Sequence, residues 1–359
     1  MNIPERLLLG PGPSPVAPRV MEAMRAPVLS HLDPAMMAIL DELRARLERV
    51  FQAPEGALAL AISGTGTSGM EAAVANVTAP GSRAVVLVTG YFGDRLAGML
   101  ERYGASVRRM ESEWGRACDP EALDRVLRED GADIVGVVHA ETSTGVLNPV
   151  EAVSRIAARH GALTIVDAVT SLGAMPLRCA DWGIDVCYSC TQKGLGAPSG
   201  LAPIMFSPRA LARRVPCRSF YLDIGLLEDY WLRRKYHHTI SAPLIYALRE
   251  ALAAIEEEGL DARLDRHRTT HDVFAGRLPD LGLSLLPPQG ERLWTLNAVR
   301  IPDGAEDAAV RRRLLEEHGI EVGAGLGPLA GKVWRVGLMG TGSTVANVDR
   351  LLGAWRQIL

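Results

Sequence analysis

The chain has 359 residues, 48% of them hydrophobic and 23% charged, a length and composition that predict two globular domains, or one large and one small. Its net charge of −3 gives no electrostatic basis for binding nucleic acid or an anionic membrane, and no apolar run reaches the roughly 18 residues that cross a bilayer. The N-terminus has no apolar signal core, and five scattered cysteines, an odd number, indicate reduced thiols, so we expect a cytoplasmic protein.

The first part of the sequence predicts an extended arm over residues 1–18, because its glycines and prolines cannot sustain a helix. The segments predicted beyond the arm are helices at 18–24 and 36–51, a strand at 56–62, a glycine-rich turn at 63–69 and a helix at 70–77. An alternation of strand and helix therefore begins here.

The alternation continues over the next hundred residues. The predicted strands are 82–89, 106–110, 134–139, 163–166 and 184–189, and the predicted helices are 91–103, 119–128 and 150–160. Apolar strands that alternate with amphipathic helices predict an α/β fold with a large, mostly parallel sheet in a three-layer domain, covered on both faces. Residues 19–258 are assigned to this domain.

The pattern changes in the last third of the sequence. A long helical stretch is predicted at 243–278, followed by strands at 293–301 and 333–338 and helices at 306–318 and 346–357. We interpret residues 259–359 as a smaller C-terminal α+β domain.

Lys193 follows the strand at 184–189 and precedes a Gly/Pro-rich turn. Only three of the 39 basic residues are lysines, the others being Lys235 and Lys332. Arginine stays protonated, whereas a lysine amine can lose its proton and add to a carbonyl. Lys193 is therefore a candidate Schiff-base lysine, with an ordinary surface lysine beside a loop as the alternative.

Thr142, Asp167 and Lys193 all follow predicted strands, as does the glycine-rich turn. The carboxyl ends of parallel strands meet at one edge of a sheet, where ligands bind. Asp167 is either a helix N-cap or a carboxylate that keeps a pyridinium nitrogen protonated. These features predict one site at this edge.

The glycine-rich turn matches the G-x-G-x-x-G dinucleotide fingerprint over residues 64–69. The next strand ends in Thr89 and Gly90, not in the acidic residue that would bind a ribose. The remaining interpretations are a purely structural turn, or a phosphate site made of helix N–H groups and the hydroxyls of Thr65 and Thr67.

Three further features have competing interpretations. Cys187 and Cys190 are more plausible as structural thiols than as zinc ligands, and His237 and His238 as loop-packing residues, so no metal site is expected. Arg335 lies in an alternating run and is either a strand arginine facing water or a fork that binds a substrate carboxylate.

With these motifs assembled, the chain resembles the class V aminotransferases of the alanine–glyoxylate/serine–pyruvate group, which have the fold-type I architecture and depend on pyridoxal 5′-phosphate. The resemblance covers nearly the whole chain. The motifs that carry it are residues 7–13, 141–145, 166–173, 192–193, 236–239, 325–328 and 332–337.

The resemblance implies that Lys193 forms the internal aldimine and moves the proton between the substrate Cα and the cofactor. Asp167 would pair with the pyridine nitrogen, and Val169 and Phe92 would pack on the two faces of the ring. The family often has tryptophan where this chain has Phe92.

The resemblance also assigns the remaining contacts. Four residues would hold the cofactor phosphate: Thr65, Gly66, Thr67 and Gln192. Thr142 would bond the ring hydroxyl, and Arg335 would bind the substrate carboxylate. Tyr236 and Thr239 would reach the phosphate of the neighbouring subunit's cofactor, which implies a homodimer with shared active sites.

The substrate signals are mixed. His31 and Tyr236, at positions expected to bind substrate, have the form found in alanine- and serine-specific enzymes. Residues 113–115 and 227–231 are closer to the ureidoglycine–glyoxylate branch. Because pocket residues touch substrate and scaffold residues do not, we expect alanine or serine as donor and glyoxylate or pyruvate as acceptor, with ureidoglycine as the alternative donor.

Three other functions compete with this interpretation. A cysteine desulfurase needs a mobile cysteine in its C-terminal part, but the last cysteine here is Cys217. An NAD-binding oxidoreductase would use the glycine-rich turn, and a non-catalytic binding protein of the same fold would have lost Lys193.

Overall fold

Seven strands form the central sheet of the protein, for which a computed structural model describes residues 3–359. In chain order the strands are β1 (Leu7–Leu8), β2 (Leu58–Gly64), β3 (Arg83–Val88), β4 (Ser106–Glu111), β5 (Ile134–Val138), β6 (Ala140–Glu141), β7 (Val146–Leu147), β8 (Leu163–Asp167), β9 (Val186–Tyr188), β10 (Gly200–Phe206), β11 (Leu296–Arg300), β12 (Ile320–Glu321), β13 (Gly323–Ala324) and β14 (Val333–Gly337). The helices are α1 (Pro18–Ala23), α2 (Pro34–Phe51), α3 (Gly66–Val77), α4 (Tyr91–Arg102), α5 (Pro120–Asp130), α6 (Val150–Arg159), α7 (Cys179–Trp182), α8 (Pro208–Ala212), α9 (Ile224–Arg233), α10 (Ala242–Glu258), α11 (Leu260–Arg277), α12 (Asp307–His318) and α13 (Val345–Ile358).

The central sheet has the order β2-β10-β9-β8-β5-β3-β4. Every strand except β10 runs in the same direction. All residues of β5 and β8 are buried, and because successive side chains point to opposite faces, both faces of the sheet must be covered. Helices α3, α4 and α6 pack against these strands. The predicted α/β fold with a large, mostly parallel sheet is confirmed.

Strand β10 and the long helical stretch near residue 259 are two of the places where the structure differs from the sequence-based prediction. The strand β10 was not predicted, because the segment after Lys193 was assigned only a Gly/Pro-rich turn. The single helix predicted over 243–278 is two helices, α10 and α11, separated at Gly259. Gly259 has φ of 81°, a left-handed conformation that a helix interior excludes and that glycine adopts without strain.

The N-terminal arm contacts both the C-terminal strands and the segment that carries Lys193. Within it β1 pairs in parallel with β12, and the Gly337 N–H donates to the Leu9 carbonyl at 2.8 Å. Further along, the Ser14 N–H donates to the Gln192 carbonyl at 2.8 Å. The arm therefore runs from the C-terminal strands to the segment that carries Lys193; residues 1 and 2 of the predicted arm lie outside the described residues.

The structure has two large clusters of buried apolar residues, which come from different parts of the sequence. The first draws its buried residues from 36–255, and the second combines Leu9 with residues from 274–355, including Phe274, Trp334 and Trp355. The domain boundary predicted near residue 258 stays a prediction. Within residues 3–359, no helix has the length and apolar content needed to cross a membrane.

Replacing Gly337 by alanine is expected to destabilise the protein by about 1–3 kcal/mol, the usual range for overpacking. A Cβ there would overlap the carbonyl oxygen of Gly10, so the arm would have to move away from β14. Urea unfolding measures the loss. Gly353→Ala is the matched control, because a Cβ at Gly353 meets nothing within 4 Å and alanine favours a helix such as α13 by up to about 1 kcal/mol. Equal stability of the two variants would contradict this account of the arm.

Candidate active site

The carboxyl ends of β2, β8 and β9 lie at one edge of the sheet, because these strands run in the same direction. A cavity of about 160 Å³ lies there. It is lined by Thr65, Gly66, Thr67, Met70, Phe92, Arg95, Thr142, Asp167, Val169, Cys190, Gln192 and Lys193. Nine of these twelve are predicted site residues, and the other three, Met70, Arg95 and Cys190, were not predicted.

Lys193 reaches the cavity from the turn after β9, and its Nζ donates to the Pro11 carbonyl of the N-terminal arm. Burial lowers the pKa of the Lys193 ammonium below its usual value, and the nearby Arg335 guanidinium acts in the same direction. A lowered pKa makes the neutral amine, which is the nucleophilic and basic form, more accessible. Lys193 is therefore suited to the covalent and proton-transfer role predicted from the sequence.

Asp167 is 3% exposed at the last position of β8. One carboxylate oxygen accepts from the Val169 N–H and the other from the Tyr188 hydroxyl, each at 2.8 Å. Burial raises the pKa of Asp167 to about 6, although both hydrogen bonds oppose this shift. Each oxygen keeps a lone pair, so the carboxylate can accept a further hydrogen bond from a cationic ligand in the cavity.

Tyr188 was not found by sequence reasoning. Its side chain is fully buried inside the apolar strand β9, where alternation predicts only a core residue. The contact with Asp167 depends on the pairing of β8 with β9, in which Asp167 lies opposite Tyr188. No local pattern in the sequence shows which parallel strands are neighbours, so pattern reasoning could not identify this contact.

Helix α3 begins at the cavity, immediately after Thr65. The Thr65 side chain makes no capping hydrogen bond, so the first N–H groups of the helix stay open to a ligand. A Cβ on Gly66 would lie 2.8 Å from Cγ2 of Val169, so only glycine allows the helix to start this close to the opposite wall. This arrangement is a cradle suited to an anion such as phosphate.

Phe92 and Arg95 line the cavity from α4. The Arg95 guanidinium carbon lies 5.0 Å from the centre of the Phe92 ring, and one of its nitrogens lies 3.3 Å from the Thr67 hydroxyl. Arg95 is not among the predicted residues, because it lies inside a helix and not at the end of a strand. Its spacing of three residues from Phe92, which places both on one helix face, was the available signal.

Arg335 is 8% exposed on β14 and does not face water. Its guanidinium donates to the Ala324 carbonyl at 2.6 Å and to the Thr142 carbonyl at 3.5 Å. Within residues 3–359, no carboxylate lies within 4.0 Å of this guanidinium. Burial lowers the pKa of Arg335 to about 10, which reflects a cation held away from water without a close ionic partner.

Four predicted residues do not line this cavity: Arg335, described above, and His31, Tyr236 and Thr239. Tyr236 is 61% exposed, with its ring 5.0 Å from the ring of His31, and Thr239 is also exposed. In a single chain the structure therefore leaves His31, Tyr236 and Thr239 outside the cavity, and their roles stay predictions.

The two histidines after Tyr236 pack within the loop. Nδ1 of His237 lies 2.8 Å from Nδ1 of His238, and Nε2 of His238 lies 2.8 Å from the Ser63 hydroxyl. All five cysteines are free thiols, and Cys187 and Cys190 are buried. Within residues 3–359, no group of three or more His, Cys, Asp or Glu side chains is placed to bind a metal ion.

The family model for class V aminotransferases matches residues 6–351. The chain belongs to this family. A solved structure of an alanine–glyoxylate aminotransferase from Nostoc sp. is 47% identical with a TM-score of 0.97, covering 100% of this chain and 96% of that one. The (S)-ureidoglycine–glyoxylate transaminase of Bacillus subtilis is 37% identical, covering 99% of this chain and 91% of the relative. The alanine–glyoxylate aminotransferase of Drosophila melanogaster is also 37% identical, covering 98% and 92%.

The protein is therefore a class V aminotransferase dependent on pyridoxal 5′-phosphate, as the sequence predicted. The cavity fits this cofactor. The α3 cradle suits the phosphate, and Asp167 can accept a hydrogen bond from the pyridinium nitrogen. Oε1 of Gln192 is buried with no hydrogen-bond partner among residues 3–359, so its amide is available to a ligand. The NAD-binding interpretation of the glycine-rich turn is wrong.

Proposed function

We propose that the enzyme transfers the amino group of alanine or serine to glyoxylate or pyruvate at the site around Lys193. The observation that carries this proposal is the buried guanidinium of Arg335, which has no ionic partner within residues 3–359 and lies beside Thr142. Amino acids and 2-oxo acids share one carboxylate, and a planar guanidinium binds a carboxylate through two parallel hydrogen bonds. One arginine can thus hold the donor and the acceptor in turn.

The cavity residues would hold the cofactor between them. Thr65, Gly66, Thr67 and Gln192 would bind the phosphate, Thr142 the ring hydroxyl, Asp167 the ring nitrogen, and Phe92 and Val169 the two ring faces. When bound, pyridoxal phosphate supplies an electron-withdrawing ring that stabilises negative charge at the substrate Cα.

Lys193 would remove and return the proton at the substrate Cα. Its amine is half-buried and has a lowered pKa, so it can accept a proton in a region that excludes bulk water. Arg335 would fix the carboxylate and thereby orient the Cα–H bond toward this amine.

Absorbance spectra of the loaded enzyme test the choice of donor. L-Alanine, L-serine, L-aspartate and (S)-ureidoglycine are each added without an acceptor, and glyoxylate or pyruvate is added afterwards. Alanine or serine is expected to bleach the cofactor band, and the 2-oxo acid to restore it. Bleaching by ureidoglycine alone would contradict the proposed donor.

Ureidoglycine is the second candidate donor. The stretch 227–231, whose sequence favours it, lies on α9, and the Tyr230 hydroxyl donates to the His31 carbonyl at 2.9 Å. This scaffold residue therefore helps to place a residue expected to contact substrate. The Bacillus subtilis relative is named for this reaction.

Replacing Arg335 by lysine is expected to lower kcat/KM about 10- to 100-fold, mainly through a higher KM for both substrates. Lysine keeps the charge but loses the two-pronged geometry, and a hydrogen bond to a charged group is worth about 1.5–3 kcal/mol. Steady-state kinetics with alanine and glyoxylate measure the change. Arg300→Lys, on the exposed end of β11, is the control. An unchanged KM would show that another residue binds the carboxylate.

We further infer a cytoplasmic homodimer. Tyr236 and Thr239 are exposed in one chain, as expected if they complete a partner's site, and the five free thiols suit a reducing compartment. Analytical ultracentrifugation of the loaded enzyme tests the dimer, and a monomer with full activity would exclude shared sites.

A further inference from the structure

Helix α4 begins without a capping side chain of its own. The residue before it is Gly90, and the first bond within the helix runs from the Asp94 N–H to the Gly90 carbonyl at 3.2 Å. The N–H groups of the first three helical residues thus need partners from elsewhere. The Tyr91 N–H donates to the Ser143 hydroxyl at 2.9 Å.

Glu141 takes the next two N–H groups. The Phe92 N–H donates to Oε1 at 3.4 Å, and the Gly93 N–H donates to Oε2 at 3.2 Å. Ser143 closes the network, because its N–H and its hydroxyl both donate to Oε1, at 3.1 and 2.5 Å. Two residues from another part of the chain therefore cap the helix that carries Phe92.

We propose that Glu141 is a positioning residue that holds α4, and with it the Phe92 ring and Arg95, in register with the cofactor. The proposal rests on the proposed function of the cavity. Glu141 does not line the cavity itself, so it acts through the helix.

The surroundings of Glu141 indicate that it acts as a carboxylate. It is fully buried, and within residues 3–359 its carboxylate accepts from three backbone N–H groups, which cannot accept in return, and from the Ser143 hydroxyl. Its negative charge also meets the positive end of the helix dipole. Burial raises the pKa of Glu141, and the bonds from Ser143, Gly93 and Phe92 oppose that shift.

The backbone of α4 approaches Glu141 too closely for any residue but glycine at position 90. A Cβ on Gly90 would lie 2.7 Å from Cγ of Glu141 and would overlap the Ser143 hydroxyl. Gly90 is extended, with φ of 167°, so the requirement is for space and not for an unusual backbone conformation. This contact ties the start of α4 directly to the loop that carries Thr142.

The negative charge of Glu141 affects two other ionisable groups of the site, Arg335 and Asp167. It favours the protonated form of Arg335 and raises the pKa of Asp167. The Glu141 carboxylate lies more than 4.0 Å from the Arg335 guanidinium and forms no ion pair with it. The guanidinium therefore stays available to a substrate carboxylate. Glu141 therefore supplies a negative charge near Arg335 without occupying its hydrogen-bond donors.

Glu141→Gln, Ser143→Ala and Asp185→Asn test the proposal. Glutamine has nearly the same shape as glutamate but no charge. Its NH2 group would face one of the N–H or O–H groups that donate to Glu141, so that hydrogen bond would be lost. Asp185 is the matched control: it is a buried carboxylate that accepts from Thr164, Ser207 and Arg209, immediately before β9 at the opposite edge of the sheet.

Three quantities are measured for each variant: the Kd for pyridoxal phosphate, the visible circular dichroism of the bound cofactor, and the Tm of the protein without cofactor. For Glu141→Gln we expect about a tenfold rise in Kd and a reduced dichroic band, and for Ser143→Ala a smaller change in the same direction. Asp185→Asn should lower Tm and leave the other two unchanged.

The outcomes separate the two proposals. If Glu141→Gln lowers Tm as Asp185→Asn does but keeps the wild-type Kd and dichroism, Glu141 is structural only and the positioning role is overturned. If the wild-type protein binds no pyridoxal phosphate, the proposed function fails before the question about Glu141 arises.

Discussion

Replacing Lys193 by alanine is expected to lower the transamination rate by about 10⁴-fold or more, since one side chain supplies both the nucleophile and the general base. Lys193 is the only lysine among the residues that line the cavity within 3–359. The variant should still fold, because removing a half-buried ammonium group also removes the cost of burying it. The measurement is multiple turnover of alanine and glyoxylate, with Tm as a check on folding.

Two further variants give this test its controls. Lys193→Arg keeps the charge but stays protonated, so it should be about as inactive as Lys193→Ala. Lys332→Ala removes an exposed lysine and should leave turnover unchanged. Turnover by Lys193→Ala close to that of the wild type would remove Lys193 from the mechanism and with it the basis of the proposed function.

Asp167→Asn is expected to lower kcat about 10²- to 10³-fold, the cost typical of removing one preorganised electrostatic contact in an active site. Asparagine has nearly the same shape, but it cannot hold a cationic ring nitrogen by charge. Its NH2 group would also face the Val169 N–H or the Tyr188 hydroxyl, both of which are donors. The amide should therefore cost some stability as well, and the loss of kcat follows from the lost charge at the ring nitrogen.

Asp185→Asn again provides the comparison, because it neutralises a buried carboxylate at the far edge of the sheet. It should lose stability and keep its kcat, whereas Asp167→Asn should lose kcat. Tyr188→Phe is expected to fall between the wild type and Asp167→Asn, since it removes one of two donors to the carboxylate. Equal kcat for Asp167→Asn and the wild type would show that the charge of Asp167 is not used in the reaction.

The parts of the fold that could be predicted are those that depend on the hydrophobic pattern of neighbouring residues. Apolar runs next to amphipathic helices predict a parallel sheet, and residues at strand ends must then meet at one edge. Strand β10 is an atypical strand in sequence, because it contains Pro203, which lacks an N–H and is unusual inside a sheet, where this strand nevertheless lies. The order of the strands depends on packing between distant segments, which no local pattern records.

The same division applies to the site. Lys193, Asp167 and the α3 cradle follow strands directly, so their position could be inferred. Tyr188 acts through a contact with the neighbouring strand that no local pattern indicates. Arg95 had only its spacing from Phe92 as a signal, and Glu141 lies in the motif 141–145 but had no role assigned to it. The roles given to His31, Tyr236 and Thr239 concern surfaces exposed in one chain and stay predictions.

The pairing of β1 with β12 has a consequence for biosynthesis. The two strands are separated by about 300 residues, so the first strand leaves the ribosome long before its partner is made. Until then the arm can be held only by its contacts with the Lys193 segment, such as the bond from the Ser14 N–H to the Gln192 carbonyl, although the central sheet, all of whose strands precede residue 207, is already available to fold. The arm can therefore complete its contacts only when the final strands have been translated.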